Sequence, residues 1–231
     1  MEPFDERVRG VASLEHPVTR NVYRLLVDRE QLSRDDTADR LGIARSVAAF
    51  HLDKLVAAGL AEVHFERLTG RTGPGAGRPA KVYRRAAREI EVSLPERRYN
   101  LAGALLAQAV ERSATEGVPV DAALRDAAVA TGRRLGEEAR AAAGTRTGRA
   151  KRRDAVLGVL ERNGYEPRVR DGEIVLANCP FHALAEQHRA LVCGMNLDLL
   201  SGIIEGIGGE DRLSARLAPE PGYCCVRMKA G

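Results

Sequence analysis

Four cysteines, Cys179, Cys193, Cys224 and Cys225, all fall in the last 53 residues of a 231-residue chain. Thiolates are soft ligands that select iron–sulfur clusters or zinc over hard cations. Cys179 stands in Asn178-Cys179-Pro180-Phe181-His182, and Pro180 suits the first turn of a helix. Cys179 is therefore expected at a helix N-terminus, which lowers a thiol pKa and favours the metal-binding thiolate. Cys193 follows 14 positions later. An unbroken helix would hold the two sulfurs about 21 Å apart, so sharing one centre requires the chain to fold back, with a break expected around Arg189 to Gly194. Cys224 and Cys225 are expected on a strand, with side chains on opposite faces. One would turn toward the Cys179/Cys193 site, while the other packs in the core or lies just outside. The fourth position is open to His182, His188 or the second cysteine of that pair. Helical spacing puts His182 on one face with Glu186, Arg189 and Cys193, and His188 off it. The intervals are not the C-x₂-C pairs of a zinc ribbon.

A second constellation is basic. Residues 67–88 carry seven cations (Arg67, Arg71, Arg78, Lys81, Arg84, Arg85 and Arg88) and no acid, whereas the whole chain has a net charge of only +4. The stretch Leu68 to Pro79 holds Gly70, Gly73, Gly75 and Gly77. Glycine and arginine together suit a loop that lies along a phosphate backbone or enters a minor groove. A further basic run spans Arg146 to Arg153.

These residues need elements to hold them. Pro17 to Asp28 reads as a helix with Val18, Val22, Leu25 and Leu26 on one face. Ser33 caps a second helix, favoured by Asp35 and Asp36 at its positive end and closed by Gly42. A third, with Val47, Phe50 or Leu52, Leu55 and Val56 at helical spacing, stops at Gly59. Two short helices about a glycine turn make a helix-turn-helix. Ala61 to Arg67 and Lys81 to Arg85 read as two strands of a hairpin. Further on, Asn100 to Ser113 and Val120 to Ala143 are amphipathic helices, beyond a hinge at Glu91 to Glu96. The stretch from Ala143 to Arg153 reads as a mobile basic connection. Asp154 to Asn163 is helical, and Asp171-Gly172 marks a hairpin. Leu213 to Met228 reads as two strands about a Pro-Gly turn.

The string TADRLGIARSVAAFHLDKLVAAGLAEV, followed by GRPAKVYR, resembles the winged helix of ArsR-type bacterial regulators over residues 16–88. In that family the third helix enters the major groove. The resemblance implies that Arg45 and Ser46 meet base edges, with His51 nearer the DNA backbone, and arginine can pair bidentately with guanine. Arg71, Arg78 and Lys81 of the glycine-rich hairpin complete the expected DNA surface. The pattern NCPF…LA…H…LVC, with PGYCC downstream, is similar to the C-terminal region of SufR-type repressors, winged-helix regulators that carry an iron–sulfur cluster. The first Cys interval departs from that pattern by one residue, and no cysteine lies between Cys193 and Cys224. The CPF…C pattern also resembles vinyl-reductase-like domains that bind small molecules.

The expected fold class is α+β: a winged helix-turn-helix domain over 1–92, helical linker and dimerisation region over 93–150, and a small α/β cysteine-containing sensor domain over 151–231. The expected function is a homodimeric transcriptional regulator of double-stranded operator DNA, since palindromic operators demand two-fold symmetry. Its candidate ligands are Cys179, Cys193, Cys224, Cys225 and His182, for an iron–sulfur cluster or, alternatively, zinc. The alternative is a winged-helix sensor of a small apolar molecule with structural cysteines. A Cys-dependent enzyme, with Cys179 as nucleophile and His182 or His188 as base, is a weaker reading, because no glycine-rich oxyanion or phosphate loop accompanies the pair. Apolar residues make up 44% and charged residues 29% of the chain, which excludes a disordered composition. The N-terminus lacks the order of a signal peptide, and no stretch reaches the length of uninterrupted apolar residues that marks a membrane span. A cytoplasmic protein without membrane partners is expected.

Overall fold

The computed structural model describes residues 4–66, 80–143, 149–209 and 213–230. The chain forms two compact units, residues 1–92 and 93–231.

In the first unit, α1 (Phe4–Ala12) leads through a 3₁₀ turn to α2 (Pro17–Asp28). A short strand, β1 (Leu32–Ser33), runs into α3 (Arg34–Leu41) and then α4 (Arg45–Ala57). The start of α3 is fixed by a capping box: Ser33 Oγ accepts from the Asp36 backbone N–H, and the Asp36 carboxylate accepts from the Ser33 N–H. That exchange satisfies two donors a helix start leaves open. Gly42 stops α3 with φ at +61°, a left-handed conformation that glycine adopts without strain. The turn to α4 is therefore tight. β2 (Ala61–Glu66) and β3 (Ala80–Arg85) follow, and β3 lies between β1 and β2 in an antiparallel sheet. Val22, Leu26, Leu52, Leu55 and Tyr83 meet in the core. At the Phe50-or-Leu52 alternative the structure chooses Leu52: it is fully buried, whereas Phe50 is 65% exposed and Val47 is exposed too. Arg71, Arg78 and the glycine-rich tip lie outside the described residues.

In the second unit, α5 (Tyr99–Glu116), α6 (Val120–Ala143) and α7 (Arg149–Arg162) precede a hairpin of β4 (Pro167–Arg170) and β5 (Glu173–Leu176). Asp171 and Gly172 both take positive φ at its turn, as a two-residue hairpin of this type requires. Next come α8 (His182–Gln187), α9 (Arg189–Ile207), β6 (Leu213–Leu217) and β7 (Val226–Ala230). The sheet order is β4-β5-β7-β6, and every neighbouring pair is antiparallel.

The glycines of α6 and α9 explain why residues 93–150 do not stand apart as a separate region. A Cβ on Gly132 would lie 2.0 Å from the Leu199 carbonyl oxygen, and one on Gly202 would lie 2.3 Å from that of Val129. Gly136 and Gly206 meet the facing helix in the same way. The two backbones touch because all four positions lack a side chain. α9 is long and apolar enough to cross a membrane by length and composition, but 61% of that window is buried, and it is the core helix of this unit. The basic run also differs from expectation: from Arg149 it forms the first turns of α7. The Arg152 guanidinium donates to the Gly208 carbonyl oxygen at 3.0 Å, a favourable place for a cation because α9 ends there.

Candidate nucleic-acid interface and thiol cavity

The solvent face of α4 carries Arg45, Ser46, Val47 and Phe50. Arg45 stands at its first turn, and its Nε lies 2.5 Å from Asp35 Oδ1, with both side chains largely in solvent. Such a pair is worth about 1 kcal/mol or less, so the guanidinium can exchange Asp35 for another acceptor. Ser46 is exposed beside it. Phe50 presents an apolar ring on the same surface, a group suited to a thymine methyl.

His51 does not join this face. It is 5% exposed, and its Nδ1 lies 2.8 Å from the Thr19 hydroxyl of α2. Its ring sits 4.8 Å from that of His16 and edge-on to Phe50. Burial, followed by the neighbouring His16 and Lys54, pushes its pKa down. The expectation of a backbone contact fails because the helical turn that exposes Phe50 points its neighbour inward. His51 instead joins α4 to α2.

Lys81 is held in an ion pair. Its ammonium lies 2.6 Å from Asp53 Oδ1 and over the Tyr83 ring. Tyr83 donates its hydroxyl proton to Asp53 at 2.7 Å, and Arg34 donates to Asp53 at 2.8 Å and to Tyr83 at 2.9 Å. Burial opposes the charge on Asp53, but hydrogen bonds from Lys81 and Tyr83, with the charges of Lys81 and Arg34, hold its carboxyl below the usual range. One carboxylate thus fixes two cations at the junction of α3, α4 and β3.

In the second unit the four cysteines converge. Cys179, His182, Glu186, Arg189, Cys193, Cys224 and Cys225, with the turn Pro219 to Tyr223, line one cavity of about 400 Å³. All four thiols are free. The fold-back that this requires occurs at His188, which separates α8 from α9 with φ at −129°. The break falls one residue before the expected interval. His188 is exposed beyond the cavity, whereas His182 lies on its rim, 3.3 Å from Glu186.

Two expectations about the thiols are corrected. First, Cys224 and Cys225 precede β7 rather than lying on it. The alternation of a strand does not apply, and both line the same cavity. Cys224 is buried and hydrogen-bonded to Cys225, and Cys193 is hydrogen-bonded to Cys225. Second, Cys179 is not at a helix start. α8 begins at His182, whose N–H donates to the Cys179 carbonyl oxygen at 3.1 Å. The hydrogen bond with Cys224, then burial, raises the Cys179 thiol pKa, although the Phe181 N–H and the Arg97 charge act the other way. Such a thiol is poorly suited to nucleophilic attack, which needs thiolate. At Cys224 the hydrogen bond from Cys179 lowers the pKa, but the bond to Cys225 and burial outweigh it and push the thiol up to about 11. Burial likewise raises that of Cys193.

Several groups around the cavity escaped the sequence reading. Asn178 is buried and donates to the carbonyl oxygens of Glu96 and Gly164 at 2.9 and 2.6 Å, while Arg97 donates to Asn178 Oδ1 and to the Cys179 carbonyl oxygen. These contacts clamp the loop that carries Cys179. Asn196 and Tyr165 stand behind Cys224: Tyr165 donates to Asn196 Oδ1, and Asn196 Nδ2 donates to Cys224 Sγ at 3.2 Å. The signal for Asn196 was its place in the apolar run of α9, three residues after Cys193 and on its face.

A family model described as a helix-turn-helix domain matches residues 14–64. These are the residues that build α2, α3 and α4, and the match points to a DNA-binding regulator. No curated protein and no solved structure matches the chain.

Proposed function

We propose that the chain is a winged-helix transcriptional regulator, acting as a cytoplasmic homodimer rather than an enzyme, whose thiol cavity holds an iron–sulfur cluster and tunes operator binding. The observation that carries this reading is the convergence of four cysteines on one cavity in a chain that also bears a helix-turn-helix domain.

The donor set suits soft metal chemistry: four sulfurs line one cavity of about 400 Å³, and thiolates are ligands of iron–sulfur clusters or, alternatively, of zinc. Among the described residues no three His, Cys, Asp or Glu side chains are already grouped as a single-ion site. Cys179, Cys193 and one of the adjacent pair Cys224 and Cys225 would hold the cluster, with His182 at the rim. When bound, such a group supplies one-electron redox chemistry and sensitivity to oxidants. The protein orients the thiols through Asn178, Arg97 and Asn196.

On the DNA side, α4 would enter the major groove with Arg45 and Ser46 leading and Phe50 beside them. Arg71 and Arg78 would follow the phosphates. With the glycine face of α6 already covered by α9, the outer face of α5 is left to meet a second copy; there Gly103 has open space beyond its Cα. For the cavity to change operator affinity, its bound state must favour one arrangement of the reading helices over another.

The test is protein prepared without oxygen. Visible absorption with stoichiometric iron and sulfide is expected, together with light-scattering mass for a dimer. Colourless, iron-free protein would remove the cluster from the reading.

A further inference from the structure

The adjacent thiols of Cys224 and Cys225 share the cavity, but their surroundings differ. Cys224 Sγ accepts a fixed N–H group, the side-chain amide of Asn196 at 3.2 Å. Asn196 is 1% exposed and Tyr165 is 2% exposed. Tyr165 donates its hydroxyl proton to Asn196 Oδ1, so the amide turns its NH₂ group to the sulfur. The opposite orientation would bring the amide oxygen to Cys224 and require a proton on that sulfur. A metal-bound thiolate carries none and can only accept.

We propose that Asn196, held in place by Tyr165, is a positioning residue that makes Cys224 the resident ligand of the adjacent pair and leaves Cys225 dispensable. The assignment rests on the reading of the cavity as an iron–sulfur site. It is the arrangement expected of outer-shell groups, which orient ligands and tune the bound centre.

The test is anaerobic reconstitution of the full chain with ferrous iron and sulfide, in wild type and in Cys224→Ser, Cys225→Ser, Asn196→Leu and Tyr165→Phe. Cys225→Ser should retain the wild-type iron and sulfide content, and Cys224→Ser should lose it. Asn196→Leu should take up the cluster but release it to a chelator about 10–100-fold faster. Its midpoint potential should fall, because N–H donors to sulfur favour the more negative, reduced state. Tyr165→Phe should shift both readouts in the same direction by less, and it keeps the test open if Asn196→Leu does not fold. Wild-type release and potential in both amide-network variants, or loss of the cluster from Cys225→Ser with retention in Cys224→Ser, would overturn the assignment alone. A wild-type chain that takes up neither iron nor sulfide would overturn the cavity reading and the assignment with it.

Discussion

A methyl group on Gly206 would stand 2.1 Å from the carbonyl oxygen of Arg133. No side-chain rotation relieves that contact, because both partners are backbone. Gly206→Ala should therefore force α6 and α9 apart and destabilise the second unit by about 3 kcal/mol or more. Gly103→Ala on α5, where a Cβ meets nothing within 4 Å, should instead stabilise it by about 0.5–1 kcal/mol. Thermal unfolding of the two variants against wild type checks the contrast.

The buried imidazole of His51 predicts a pH dependence. Burial, then the nearby His16 and Lys54, lowers its pKa in the folded state from an ordinary value of 6.5. The unfolded chain thus binds the proton more tightly. Stability from this group is fully present above about pH 6.5 and is lost as the pH falls toward the depressed folded value. The melting temperature of wild type should drop more between pH 7.5 and pH 5 than that of His51→Gln. An equal drop in both would assign the acid sensitivity elsewhere.

Arg45 and Asp53 make opposite predictions for DNA. Using an operator selected from a randomised pool, Arg45→Ala should weaken binding by about 1–3 kcal/mol and relax the preference at one base position. Asp53→Asn frees Lys81 and Arg34 from their common carboxylate. It should strengthen binding to unrelated DNA more than binding to the operator, with a steeper salt dependence. Fluorescence anisotropy across a salt series reads both.

The thiols should differ in reactivity in reduced, metal-free protein. The raised pKa values of Cys179, Cys193 and Cys224 make thiolate scarce at pH 7.5, and Cys225 is only half-buried. Mass spectrometry after brief iodoacetamide treatment should find Cys225 modified first, and all four only after denaturation. Early modification of Cys224 would contradict the described burial.

The first unit was largely legible in sequence because its signals are local. Pro17, the Ser33 cap and the turns at Gly42 and Gly59 each fix an element boundary through neighbouring residues. His51 was misread because Phe50 and Leu52 offer two ways to count the same helical face, and only the packing of α2 decides between them. In the second unit a fold-back between Cys179 and Cys193 was expected, but only one of Cys224 and Cys225 was expected to join them, whereas both line the cavity. Asn196 and Tyr165 are 31 positions apart, and neither sits beside a cysteine in sequence. The glycine seam was missed for a related reason: a four-residue glycine spacing on one helix means little until its counterpart on a distant helix is brought against it. The start of the last strand was the weakest reading, since nothing local distinguishes a residue on β7 from one just before it.

The Cys224 backbone N–H donates to the Leu176 carbonyl oxygen at 2.8 Å, where β5 ends, and β7 runs on from Val226 with Met228 opposite Ile174. The sheet therefore acts as a ruler for the cavity. Because strand register is counted in whole residues, one residue inserted directly after Cys225 would move Cys225 into the place of Cys224, against Asn196, and displace Cys224 into the turn. Which thiol the amide meets is set by where a strand begins, although the two cysteines are chemically identical.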